Sequence, residues 1–309
     1  FLIELIGMIV MLPTFCGNYG IKGIWMAAFH SVSAFCNAGF DILGTAENKY
    51  PSLTGYIGNP AINITIMLLI IVGGIGFLTW DDIYTNKWHF KKYRMQSKVI
   101  LVTTAILIIA PAVFFFFCDF TGLPLAERIL ASLFQSVTPR TAGFNTADLP
   151  AMTGSSKAIM TMLMLVGGSP GSTAGGMKTT TLAVLILSAF SVCRKKDDAE
   201  VCGRRIDGSV VKNAAAVAVM YFLLFFVGGI VISTAEGLPL STCPYETASA
   251  VGTVGLTLGI TPQLGVLSQL ILIVLMYLGR VGGLTLIYAA VSNKNHSGAK
   301  LPLEEITVG

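Results

Sequence analysis

Apolar positions along this chain gather into long runs instead of alternating. The runs cover Ile62–Phe77, Val99–Phe117, Ala158–Val192 with an interruption inside it, Val210–Ile232 and Leu264–Ala290. Each is long enough to cross a bilayer core, which takes about 20 residues as a helix. The chain opens on "FLIELIGMIVML", which has neither a charged leading region nor a small-residue cleavage site. It therefore reads as a helix cut part way along, not as a signal peptide. Three polar segments separate or follow the runs: Asn86–Lys98, Cys193–Lys212 and "SNKNHSGAK" near the end. Lysine and arginine concentrate in short cytoplasmic loops, so these three belong inside. The stretches around Asn37–Pro60, Thr121–Ser156 and Gly237–Pro262 then belong outside.

The outer stretches are too long and too apolar for plain loops. Gly20–Gly44, Gly122–Thr146 and Gly237–Gly259 share one plan, a short amphipathic segment ending in Ser or Thr and then a small-residue turn centred on Gly39, Gly143 or Gly255. "GLPL" opens two of them. Each turn precedes an apolar run with its own glycine cluster, "IVGGIGF", "LVGGSPG" or "LGRVGGL". This order, met three times, is an internal repeat of ~100 residues. Irregular backbone at membrane depth survives only where protein buries it or a watery cavity takes it up. Turns such as "NAGF", "TAGF" and "TVGL" would offer carbonyls to a pore, since glycine permits the positive φ that aims them inward, and rings of carbonyls replace the water around an alkali cation.

Composition agrees with a membrane protein and narrows the chemistry. Hydrophobic residues make up 54% and charged residues 12%, with a mean hydropathy of +0.75, against about 25% charged in soluble domains. A net charge of +4 is too small to indicate nucleic acid. The six cysteines form no C-x-x-C pair and read as apolar fillers. His30, His89 and His296 share no ligand spacing.

The turns "SVSAFCNAGFD", "SVTPRTAGFNT" and "SAVGTVGLT", with "GGSPGSTAGGMKTTT" and "YLGRVGG", resemble the Trk/Ktr/HKT potassium transporter superfamily, the bacterial KtrB type in particular. The resemblance covers nearly the whole chain. It implies an all-α integral membrane protein in which helix–pore-helix–helix repeats surround a central pore, with three of an expected four repeats present and the first missing. The implied divisions are 1–85 (second repeat), 86–98 (basic loop), 99–193 (third repeat, with a gate loop over 167–179), 194–209 (basic loop), 210–292 (fourth repeat) and 293–309 (tail). It implies a selectivity filter for potassium at Asn37, Ala38, Gly39, Phe40, Thr141, Ala142, Gly143, Phe144, Thr253, Val254, Gly255 and Leu256. Potassium would be the substrate and sodium a regulator. The further implications are a homodimer, a cytoplasmic nucleotide-binding ring subunit as partner and a multi-pass location in a bacterial plasma membrane. The basic segments Asn86–Lys98 and Cys193–Lys212 are the docking faces this leaves available.

The segment Gly167–Lys178 has two readings. Gly171, Gly176, Lys178 and Thr179 almost spell a phosphate-binding loop, but Met177 displaces the lysine by one residue. A membrane ATPase using this loop, or a non-conducting fragment, are the alternatives to transport. The resemblance implies a gate beneath the filter, formed by Gly167, Gly168, Ser169, Pro170, Gly171, Ser172, Thr173, Ala174, Gly175, Gly176 and Lys178, with Arg280 beside it. Local chemistry also predicts a broken helix here, because Pro170 removes a donor and each glycine costs about 1 kcal/mol in a helix. Arg280 lies inside an apolar run, where facing lipid costs about 2.5–3.5 kcal/mol. It should face the pore interior; the competing reading is snorkelling to the inner surface. Lys178 either pairs within the gate or reaches the cytoplasmic interface. Arg140 either tethers its turn, through carbonyls or an acid such as Glu246, or acts directly on the ion path.

Overall fold

A computed structural model describes residues 1–46, 48–196 and 198–282, and the fold is almost wholly helical. The first segment holds α1 (Leu2–Tyr19), α2 (Lys22–Phe35), α3 (Pro60–Gly74) and α4 (Phe77–Asn86). Next come α5 (Met95–Cys118), α6 (Leu125–Val137), α7 (Gly154–Leu165) and α8 (Thr179–Cys193). A two-residue hairpin, β1 (Glu200–Val201) with β2 (Arg204–Arg205), leads to α9 (Gly208–Glu236), α10 (Cys243–Val251) and α11 (Val266–Val281). The final tail and the end of the last apolar run, beyond 282, lie outside the described residues.

Local chemistry sets several boundaries. The Asn59 side chain accepts from the Ile62 amide at 3.2 Å and Pro60 occupies the first turn, so α3 starts there. The Thr153 hydroxyl accepts from the Ser156 amide at the start of α7. Gly237, left-handed with φ 66°, ends α9. Three helices, α1, α5 and α9, are long and apolar enough to cross a membrane, or four if α3 and α4 count as one span. Their apolar side chains face outward: Ile9 on α1, Ile106 and Ile109 on α5, Phe222 and Phe226 on α9 are all exposed, as expected where lipid is the solvent.

Two departures from the hydropathy pattern stand out. The run over Ile62–Phe77 is not one straight span, because α4 turns 99° away from α3 at Gly74–Gly76. Gly76 has φ 87°, and a Cβ there would press on the Pro170 carbonyl at 2.5 Å. The second is the hairpin inside the basic segment, where Lys196 pairs with Glu200 at 2.5 Å and Arg205 with Asp198 at 3.2 Å.

The short helices α2, α6 and α10 pack inside the longer ones. α2 sits on α1 and α3, α6 on α5, and α10 on α7, α9 and α11. Their inner faces carry polar residues that are fully buried, among them Ser31, Gln135 and Thr247. One apolar cluster joins α1–α3 to Phe134, Val137, Ala142 and Phe144 of the next turn. A second runs from Phe115 to Leu275. Each short helix thus delivers its C-terminal end and the turn after it to the middle of the molecule.

Candidate functional site

The turns after α2, α6 and α10 have the same backbone. Asn37, Thr141 and Thr253 adopt positive φ (49°, 65° and 54°), and Gly39, Gly143 and Gly255, two residues on, do so again (71°, 84° and 92°). A left-handed β-branched residue is uncommon and costs about 1–2 kcal/mol. The glycines were legible as turn residues; the left-handed threonines were not. The amides of Ala38, Ala142 and Val254 fold back onto Ser33, Thr138 and Ser249 carbonyls at 2.9, 3.1 and 2.8 Å. Hydroxyls of the same three residues hold the turns from the side. Ser33 Oγ donates to the Phe40 carbonyl at 2.8 Å, Thr138 Oγ1 donates to the Phe144 carbonyl, and Ser249 Oγ accepts from the Gly255 amide at 3.1 Å.

The structure brings the three turns against one another in order. A Cβ on Gly39 would strike the Ala142 carbonyl oxygen, and one on Gly143 would strike the Val254 carbonyl oxygen. Gly255 has open space instead, with only the Gly143 Cα near, 4.0 Å from where a Cβ would stand. Phe144, Leu256 and Val254 are buried behind the turns, whereas Phe40 is 69% exposed.

Against these turns lies the segment between α7 and α8, where the helix breaks as the proline and glycines predict. Val166 and Met177 form a bridge, the Gly167 amide donates to the Met177 carbonyl at 2.7 Å, and the Thr179 amide donates to Gly168 at 3.0 Å. Ser169 and Thr179 share a hydroxyl hydrogen bond at 3.0 Å, and Ser172 Oγ donates to the Ser169 carbonyl at 2.6 Å. Lys178 Nζ donates to the Ala174 carbonyl at 2.7 Å, so the lysine folds onto its own loop.

The loop is stitched to the bend of α3. The Ser169 and Thr173 amides donate to Gly74 and Gly73 carbonyls at 2.9 and 3.3 Å, and the Phe77 amide donates to Gly171 at 3.0 Å. Thr173 Oγ1 reaches both the Phe35 and Gly73 carbonyls, at 3.1 and 3.2 Å. From the other side Arg280 Nη1 donates to the Thr173 carbonyl at 3.2 Å. Gly167 and Gly175 touch the turns themselves, lying against the Thr141 methyl and the Thr253 hydroxyl. The amides of Gly167, Ser169, Thr173 and Thr179 are thus all taken up by carbonyls of the protein.

One expectation needs correcting. Arg140 does not meet Glu246. It is buried, with Nη2 on the Thr104 hydroxyl at 3.4 Å. Glu246 instead braces its own turn, accepting from Thr257 Oγ1 (2.9 Å), the Leu258 amide (2.8 Å) and Thr261 Oγ1 (2.6 Å). Sequence reasoning passed over Ser33, for which the recurring hydroxyl five or six residues before each turn glycine was the available signal.

Helix, short helix, positive-φ turn and a loop packed beneath such turns form a combination specific enough to compare with known proteins. The sequence profile of the cation transport protein family TrkH matches residues 1–298. The chain belongs to that family. Its relatives include the potassium/sodium uptake protein NtpJ of Enterococcus hirae, 38% identical over 99% of this chain and 69% of the relative. The Ktr system potassium uptake protein B of Bacillus subtilis is 34% identical with the same coverage. Among solved structures, the potassium transporter TrkH from Vibrio parahaemolyticus shares the fold with a TM-score of 0.73 at 19% identity. The alignment takes in 94% of this chain and 62% of that one. The family is one of cation transporters, not of enzymes.

Proposed function

We propose that this chain is the membrane subunit of a potassium uptake system, with ions passing in single file by Gly39, Gly143 and Gly255. The observation that carries the reading is the stacking of the three turns, with Gly39 bare against the Ala142 carbonyl and Gly143 bare against the Val254 carbonyl. Carbonyl oxygens held at such close quarters replace an alkali ion's hydration shell. The C-terminal ends of α2, α6 and α10, each carrying a partial negative charge, point at the same place. The filter comprises 37–40, 141–144 and 253–256. The open side of Gly255 is where the turn of a fourth repeat would close the ring.

The loop 167–178 is the gate. Its contact with Thr141 and Thr253 supports a backbone lying in the ion path, with Arg280 adding a fixed positive charge that cations must pass. Uptake runs down the membrane potential, at about 2.3 kcal/mol per charge per 100 mV. Sodium acts as a regulator, and the subunit works as a homodimer in a plasma membrane with a cytoplasmic nucleotide-binding ring. The names of the Ktr relatives, components of a system, support such a partner.

The test is rubidium uptake in cells stripped of their own potassium uptake systems. The chain is compared with a version extended at its N-terminus by the first repeat of a Ktr relative. Uptake by the extended chain, saturating with potassium and competed weakly by sodium, is the expected result. No uptake by either version would overturn the reading.

A further inference from the structure

The bend at Gly74–Gly76 turns α4 away from α3, and the two faces of α4 then differ sharply. One face buries Thr79 and Asp82, and Asp82 takes the Arg94 amide at 3.1 Å and the Ser97 hydroxyl at 2.5 Å, pinning α4 to the start of α5. The other exposes Phe77, Leu78, Ile83 and Tyr84 together with Asp81, which pairs with Arg94, and Trp88 follows at 97% exposure. A short helix turned 99° from the one before it, with aromatic residues outward, suits the membrane–water interface, the depth that tryptophan and tyrosine favour.

Beside it is a cavity of about 370 Å³ assembled from both basic segments. Its cations are Lys91, Lys92, Arg94 and Lys98 from before and within α5, and Arg204 from the hairpin more than a hundred residues later; no carboxylate lines it. Arg94 is held by Asp81 and Asp82. Lys91, Lys92, Lys98 and Arg204 have no carboxylate partner among the described residues, unlike Lys196 and Arg205 of the same hairpin region.

We propose that this cavity binds the phosphodiester headgroup of an anionic phospholipid of the inner leaflet, with the apolar face of α4 alongside its acyl chains. The four cations without a carboxylate partner complement the ligand's negative charge, and the neighbouring aromatic face sets the depth at which headgroups stand. Basic pockets at the inner end of membrane helices suit such headgroups. The inference rests on the sidedness read from the basic segments and not on conduction, so binding is measured directly and its failure leaves the transport reading intact.

Native mass spectrometry of the detergent-purified chain, titrated with dioctanoyl-phosphatidylglycerol or dioctanoyl-phosphatidylcholine, makes the test. At least fivefold more phosphatidylglycerol adduct is expected. K91Q/K92Q/R204Q should abolish that preference, and K91R/K92R/R204K should keep it with the same melting curve. Equal adducts for the two lipids would overturn the proposal. So would displacement of phosphatidylglycerol by inorganic phosphate at the same concentration, which would make the cavity a small-anion site. A preference that survives the glutamine variant, while that variant loses binding to a nucleotide-binding ring protein, would assign the face to a protein partner instead.

Discussion

At Gly143 an alanine would meet two obstacles at once. Its φ of 84° is a conformation costly for any side chain, and the new methyl would overlap the Val254 carbonyl oxygen. Left-handed backbone alone costs about 1–2 kcal/mol, and 1.4 kcal/mol is tenfold in affinity. Gly143→Ala should therefore weaken the apparent affinity for rubidium by roughly tenfold or more, read from the concentration dependence of uptake by the extended chain. Unchanged kinetics would remove Gly143 from the filter. Glu246 supports the neighbouring turn through three hydrogen bonds from Thr257, Leu258 and Thr261. Glu246→Gln keeps the volume but turns one acceptor into a donor facing donors, at a cost of about 1–3 kcal/mol. A melting temperature lower by several degrees in detergent, with increased sodium permeation, is expected; a melt identical to the parent would refute the brace. These residues were unequally legible. Glycine announces a positive φ, but nothing in the letters "PRT" says that Thr141 would adopt one too, or that Arg140 would turn inward to Thr104 and not toward Glu246.

Among the elements, the broken helix between α7 and α8 was readable because Pro170 and the surrounding glycines cannot continue a helix. The bend between α3 and α4 was not, although "GGIG" marks the place. What holds it is distant in sequence: Ser169, Gly171 and Thr173 exchange hydrogen bonds with Gly73, Gly74 and Phe77, and hydropathy within 62–77 carries no trace of them. The loop and the bend are thus one unit, with Thr173 at the joint. Thr173→Val removes its hydroxyl bonds to Phe35 and Gly73 without changing shape, a loss of about 1 kcal/mol. Looser seating of the loop should raise basal rubidium flux severalfold and shrink any difference between regulated and unregulated states. Flux equal to the parent's would place the gate elsewhere.

For the molecule as a whole, the apolar runs 99–117 and 210–232 foretold the long apolar helices α5 and α9, since a bilayer imposes such runs directly on composition. They could not foretell which turns touch. That Gly39 meets Ala142 and Gly143 meets Val254 depends on how the helices lean on one another. If a fourth turn fits the open side of Gly255, the extended chain should melt several degrees above the 309-residue chain; an equal or lower melt would mean that this side is not an interface. The order of these contacts has a consequence for symmetry. In both contacts one turn joins the next head to tail, a bare glycine face meeting a carbonyl face, so neither contact is between like surfaces. Contacts of this kind either run on as a spiral or close into a ring at one fixed number of units. On the proposed pore reading, the angle between successive turns sets the size of the hole before any side chain is chosen, and losing or doubling a unit would change the species that can pass, not merely the rate.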